Sequence, residues 1–384
     1  MLVLSGGTVV DADGRRDADV VVEDGRIERV GEAPSDADQV VDVAGQYVAP
    51  GLIDTHVHVM MDGGPDPESN RDMTKYAAAY QTASNLEKAL EAGVTTLRDL
   101  GSLESLAIDA REAVEAGQIR GPRVQACGQT VVMTGGHGHW MGREADGPDE
   151  VRKAAREQLK RGADAVKTMA TGGVLTEGAL TGAPELTERE MAALVDAAAA
   201  KGRPTAAHAH GTEGIKNAVR AGITSIEHGT FMDREAAEMM ADRGTYWVPT
   251  AAALHGIVEQ GTEAGIPEWA VEKAEEAAES FENVFDYALE EGVPIAMGTD
   301  AGTPFNFFGD IPQELQLLVD HGLSPEHALE TATVNAADLL GIDDVGLVTE
   351  GYRADLVVLP DDPLADASVW QDVRTVVADG DVVA

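Results

Sequence analysis

His56 and His58 stand two residues apart in the apolar stretch GLIDTHVHV (51–59). Read as a β-strand, positions i and i+2 face the same side, so both imidazoles can reach one metal ion. Lys167 lies in a second apolar run, AVKTMA (165–170), where an unpaired ammonium carries a large desolvation penalty. Something has to neutralise that cation or put it to use. His208 falls near the end of PTAAHA (204–209), His228 near the end of ITSIEHG (223–229), and Asp300 closes VPIAMGTD (293–300). Imidazole and carboxylate are the ligand types that zinc and other borderline divalent ions accept, so these six residues make a candidate metal centre.

A single His-X-His occurs by chance, and this chain repeats it at His137-Gly138-His139 and His208-Ala209-His210. Concurrence carries the argument instead: the six residues fall on five apolar runs in one order along the chain. What remains is to find the elements that bring those runs together.

Between about residues 50 and 349 short apolar runs alternate with Ala-, Glu- and Leu-rich helical stretches such as EREMAALVDAAAAKG, several ending in Gly. That alternation predicts a parallel sheet with crossover helices. Eight candidate strands, 51–59, 94–100, 123–128, 165–170, 204–209, 223–229, 246–250 and 293–300, predict a closed (β/α)8 barrel of the TIM type. An open doubly wound sheet is disfavoured, because no Gly-rich phosphate fingerprint follows the first strand. In a barrel all strands end at one rim, which collects the six residues. Residues 1–49 and 350–384 read instead as short strands without helical periodicity, LVLSGGTVV and ADVVVEDGRIERVG at one end and ADLVVLP and RTVVADGDVVA at the other. They predict one small β-sandwich domain made from both chain ends.

Of the 384 residues, 28 are Lys or Arg and 68 are Asp or Glu, a formal net charge of −40. Nucleic acid is excluded as an expected partner, since phosphate binding needs the opposite sign. With 8 Lys against 20 Arg, so acidic a surface predicts a halophilic protein adapted to concentrated salt, which screens its self-repulsion. Cys127 is the only cysteine, so no intrachain disulfide and no cysteine-based metal site is expected. No run approaches the roughly 20 apolar residues that span a bilayer, and no basic stretch precedes an apolar one near the start. A soluble cytoplasmic protein with no membrane partner is the expectation.

The motifs VVDVAGQYVAPGLIDTHVHV, VKTMATGG, AAHAHG, SIEHGT, MGTDAG and EGYRADLVVLPDDPL resemble those of the amidohydrolase superfamily over nearly the whole chain. The resemblance implies a binuclear centre holding two divalent ions, zinc or else Mn, Co or Fe. It implies that Lys167 carries a CO2-derived carbamate, which with a hydroxide bridges the ions. His56, His58 and Asp300 would hold one ion, and His208 and His228 the other. Asp300 is implied as the general base that becomes the general acid. Homo-oligomers are common among such relatives, although no interface is legible in the sequence.

TGGHGHW, TGGVLT and SIEHGT are similar to a subgroup of Xaa-Pro and Xaa-Arg dipeptidases and N-acyl amino acid hydrolases. This implies that His137, with His139 as second choice, assists the substrate carbonyl, and that the substrate is a dipeptide or N-acyl amino acid. Single-metal deaminases of the superfamily carry a glutamate three residues after the fifth-strand histidine, where this chain has Gly211. Glu213 is out of that register, so ring deamination is disfavoured. Hydrolysis of a cyclic amide, in the manner of imidazolonepropionase, or of a lactone is the alternative. A metal-free scaffolding or binding subunit is the alternative from another class. Arg98, Lys216 and His255 are candidates to meet a substrate carboxylate, and Trp140, Tyr246, Phe305, Phe307 and Phe308 are candidates for an apolar wall.

Overall fold

The computed structural model describes residues 1–176 and 180–384. The amino-terminal stretch folds as β1 (Leu2–Ser5), β2 (Thr8–Asp11), β3 (Gly14–Asp17), β4 (Asp19–Glu23), β5 (Arg26–Gly31), β6 (Gln39–Asp42) and β7 (Tyr47–Pro50). The barrel region supplies β8 (Leu52–Val57), β9 (Val94–Asp99), β10 (Arg123–Ala126), β11 (Val131–Val132), β12 (Arg143–Glu144), β13 (Val166–Met169), β14 (Thr205–Gly211), β15 (Ser225–Phe231) and β16 (Tyr246–Val248). The far end adds β17 (Leu356–Leu359), β18 (Thr375–Ala378) and β19 (Asp381–Val382).

The chain ends make two sheets, ordered β5-β4-β1-β6 and β19-β18-β17-β7-β2-β3. Strand β17 runs antiparallel to β7, with Leu356 opposite Pro50 and Leu359 opposite Tyr47. Leu4, Val20, Val22 and Ile27 of the first sheet and Val9, Val48, Leu356, Val358 and Val377 of the second share one buried cluster. Alternating apolar residues on two facing sheets bury one face of each, which is why these strands read as short and β-branched.

In the barrel region the strands pair in parallel, β10-β9-β8 in one run and β11-β13-β14-β15-β16 in another. Every residue of β8, β9 and β13 is buried. Such continuous burial follows from helices covering one face and packed barrel interior the other. Crossover helices include Pro148–Arg161, Thr212–Ala221, Arg234–Arg243 and Glu268–Glu291, which stop at Gly162, Gly222, Gly244 and Gly292 in left-handed conformations that glycine adopts without strain.

One element departs from expectation. Residues 293–300 were expected to form an eighth regular strand, yet they run extended without a continuous ladder. They still close the barrel. Trp247 N donates to Pro294 O and Ala296 N to Trp247 O on one side, while Thr55 N donates to Met297 O and Asp300 N to His56 O (2.7 Å) on the other. The causes are local: Pro294 has no N–H, Thr299 N donates to the Asp54 carboxylate, and Asp300 sits at φ +61°. On the far side Asp164 N donates to Ala126 O and joins the two parallel runs. Among the described residues no helix is long and apolar enough to cross a membrane.

Candidate active site

The strand ends converge on a cleft of about 840 Å³, its mouth included, whose floor holds His56, His58, Lys167, His208, His210, His228 and Asp300. All six ligands expected from the sequence are there. Five of them, joined by His210, which was not expected, fall into two groups, His56, His58 and Asp300 in one and His208, His210 and His228 in the other, with the ligand atoms of each group lying within 4.8 Å of one another. The groups adjoin, with ring centroids of His56 and His228 5.2 Å apart. Lys167, buried on β13 beside Ala206 of β14, acts electrostatically on His56 in one group and on His208 and His228 in the other.

The hydrogen-bond pattern fixes which ring atoms are offered to the cleft. His58 Nδ1 lies 2.9 Å from Gly101 O, and a carbonyl only accepts, so the proton is on Nδ1 and Nε2 is a bare lone pair. That lone pair faces Asp300 Oδ1 at 3.2 Å, and His56 Nε2 faces the same oxygen at 3.3 Å. Asp300 Oδ1 is buried and accepts no hydrogen bond. Acceptors that face one another in a buried site leave room for a cation between them. The second group repeats the logic: Thr250 Oγ1 donates to Pro249 O, so it accepts from His228 Nδ1 at 2.7 Å and turns Nε2 inward. His208 Nε2 is buried without a partner, and His210 Nδ1 is held by Thr230 Oγ1 at 2.7 Å. An all-nitrogen and carboxylate donor set of this kind suits zinc and its first-row neighbours.

Electrostatics keep most rings in the ligating form. Burial pulls His56 and His137 down to about 4 and His210 to about 3, and it depresses His208 and His228 as well. His58 is the exception. Burial pulls it down, but the carboxylates of Asp300 and Asp99 outweigh that and raise it, so this corner of the site favours a cation. Burial also lowers the Lys167 ammonium, which favours the neutral, nucleophilic amine.

Behind His56 stands a buried charge pair that the sequence did not reveal. Glu227 Oε2 lies 2.9 Å from His56 Nδ1, although not on the line a good hydrogen bond requires, and Oε1 lies 3.4 Å from the Arg98 guanidinium. Burial pushes Glu227 up, but His56 and Arg98 win and hold it at about 2. Arg98 also donates to Thr55 O at 2.6 Å. A carboxylate behind a ligating imidazole orients the ring and raises its basicity.

Backbone strain concentrates here. Of the seven non-glycine residues with positive φ among the described residues, His228 (+68°), Thr250 (+56°) and Asp300 (+61°) belong to this site. Each unfavourable conformation persists only because surrounding structure holds it. Gly173 serves the same end by absence, since a Cβ there would stand 2.4 Å from the His137 ring.

Several expected residues lie elsewhere. Arg98 does not meet the mouth: it is fully buried within the barrel, paired with Glu227. Lys216 is tied to Asp233 and Glu235, and His255 pairs with Glu259 on its own helix. His137 lines the cleft, 4.3 Å from the His208 ring, with Nδ1 2.6 Å from Thr176 Oγ1, whereas His139 is turned to the Gly136 carbonyl and lines no part of it. Of the aromatics only Trp140 reaches the cleft. Tyr246 donates to Asp338, Phe308 is core, and Phe305 and Phe307 pack on each other. His210 is the residue that reading the sequence missed, although its spacing from His208 was the available signal.

The Amidohydrolase family matches residues 47–383. Ochratoxinase of Aspergillus niger is 31% identical over 97% of this chain and 84% of its own length. A solved Xaa-Pro dipeptidase with methionine bound in its active site superposes with a TM-score of 0.93 at 33% identity, over 100% of this chain and 99% of that one. A prolidase complexed with N-methylphosphonate-L-proline gives a TM-score of 0.93 at 31% identity, over 100% and 99% of the two chains.

Proposed function

The chain belongs to the amidohydrolase family, hydrolases that act on carbon–nitrogen bonds, and from that premise we propose that it cleaves an amide in a dipeptide or N-acyl amino acid at a binuclear centre. His56, His58 and Asp300 would hold one divalent ion, zinc or else Mn, Co or Fe. His208 and His228 would hold the second, with His210 packed against both rings and the carbamate of Lys167 between the two ions. The observation that carries this reading is Asp300 Oδ1, buried without a hydrogen-bond partner and faced by two imidazole nitrogens at 3.3 and 3.2 Å. Bound there, such ions acidify a water molecule and polarise a scissile carbonyl.

The chain's own residues supply the rest. Asp300 takes the proton of the attacking water and delivers it to the amine nitrogen as the carbon–nitrogen bond breaks, so one water yields one acid and one amine. His137 is kept neutral by burial, with Nδ1 2.6 Å from Thr176 Oγ1; in the tautomer whose Nδ1 accepts from that hydroxyl, Nε2 carries the proton and donates to the substrate carbonyl. Glu227 and Thr250 hold His56 and His228 in the orientations this requires. The buried floor restricts bulk water, which strengthens each of these interactions.

The test is amine release from a panel of dipeptides and N-acyl amino acids, using zinc- or manganese-loaded protein in concentrated potassium chloride. Selective turnover is expected. Protein that carries two equivalents of metal and releases no amine from any member would overturn the proposal.

A further inference from the structure

Above the polar floor, the cleft walls are apolar on two sides. On one, Val174 and Leu175 follow β13 and meet Leu254 and Ile257 of the helix Ala251–Gln260. These four belong to, or pack on, a hydrophobic cluster separate from the main barrel core, which includes Ile266, Ala270 and Ala274, so the wall is firmly backed. On the other side Met141 and Met169 come together over Gly138, beside His137: a Cβ on that glycine would meet their methyl groups at 3.7 and 3.3 Å. Trp140 extends this side. Methionine is unbranched and polarisable, so this wall can mould to differing apolar shapes.

Charge is confined to the floor. Among the described residues lining the cleft, the charged side chains are Lys167 and Asp300, 1% and 8% exposed. Both are engaged in the centre itself. Lys273 is not itself a lining residue: its ammonium is bonded to Thr176 O at 2.8 Å and sits over the Trp269 ring, near enough to act electrostatically on His137. The molecule as a whole carries a formal charge of −40, a field that works against anionic groups.

Resting on the amide-hydrolase reading above, we propose that substrates are selected by bulky apolar substituents on both sides of the scissile bond, and that a free carboxylate on the amine portion contributes nothing to recognition. Apolar dipeptides and N-acyl amino acids then serve as substrates through their side chains. Neutral N-alkyl and N-aryl amides of the same shape serve equally well.

Binding and cleavage test this separately. N-hexanoyl-leucine and N-hexanoyl-3-methylbutylamine differ only by the carboxylate. Their ketomethylene isosteres, with CH2 in place of the amide N–H, cannot be cleaved, and calorimetry on metal-loaded protein gives their Kd values. The neutral isostere should bind within about threefold of the acid or tighter, and shortening hexanoyl to acetyl should weaken both by about 10-fold or more. Leu175→Arg, at a part-exposed wall position, should tighten the acid and weaken the neutral compound. An acid that binds wild-type protein more than about threefold tighter overturns the inference, as does affinity insensitive to acyl length. The parent amides report on the other reading: expected binding without amine release sustains the selectivity and counts against cleavage of linear amides at this centre.

Discussion

The two halves of the cleft floor are built on opposite electrostatic plans. His56 and His58 face a buried carboxylate, Asp300, and a second one, Glu227, itself paired with Arg98, stands behind His56. His208, His210 and His228 are neutral rings steadied by the hydroxyls of Thr230 and Thr250. One net negative charge, Asp300 with the Glu227–Arg98 pair behind it, against none means that the first half should grip a divalent ion harder and donate more electron density to it. The second half should hold its ion loosely enough to be useful as an exchangeable, carbonyl-facing Lewis acid. One fold can thus tune two adjacent sites by what stands behind each imidazole.

The strongest way to break this contrast is to remove its anion. Asp300→Asn should lower kcat by about 10²–10⁴-fold and strip the first half of its ion, with the circular dichroism spectrum unchanged. Activity within about 10-fold of wild type would show that the carboxylate neither moves the proton nor holds the metal. A smaller effect sharpens the comparison. In a chelator titration followed by metal analysis, the second-half ion should leave first, and Glu227→Gln should weaken the first-half ion by about 10–100-fold and narrow the gap. Simultaneous loss of both ions from wild type would erase the asymmetry.

The smallest effect concerns the support of the neutral half. Glu314 accepts hydrogen bonds from Ala251 N and Ala252 N, at the start of the helix that follows Thr250, the partner of His228. Burial pushes its carboxyl from 4.5 up to about 8. With the folded value raised, the native state keeps a proton that the unfolded chain gives up, so stability is lost as pH climbs between those values. Denaturant unfolding should therefore show wild type losing ground to Glu314→Gln from pH 5 to 8.5, by a few kcal/mol at most. A pH-independent difference between the two would show that Glu314 does not titrate in this range.

Residue type and strand order made the six floor residues legible, because side chains at the mouth of a barrel must lie near strand ends and strand ends can be read from apolar runs. The supports were not legible. Glu227 belongs behind His56 only because β15 lies across the barrel interior from β8, and Thr250 reaches His228 only through a left-handed turn at the end of β16. Such partners are set by register and curvature, which leave no short-range pattern. His210 was in plain view at a two-residue spacing from His208, and the same spacing at His137 and His139 delivered one ring to the cleft and turned the other away. Alternation predicts a shared face only while the strand persists, and residues 137 to 139 lie in a turn. Arg98 and Lys216 were misread for a related reason: a charged side chain in a strand or helix looks available until its partner is known, buried Glu227 for Arg98 and the surface carboxylates of Asp233 and Glu235 for Lys216.

The pairing of β7 with β17 has a consequence for how the chain is made. Residues 51 to 355 must leave the ribosome before the second sheet can receive β17, so at about 5–20 residues per second the edge of β7 waits roughly 15–60 s. During that interval a nascent chain carries an apolar strand, Tyr47–Pro50, whose edge away from β2 leaves its backbone donors and acceptors open to any passing neighbour. Pro50 at its end withholds one of those donors, and the heavy negative charge of the emerging polypeptide keeps sibling chains on a polysome apart. That acidity thus acts as a guard during synthesis, and translation in dilute salt should be where it guards most strongly.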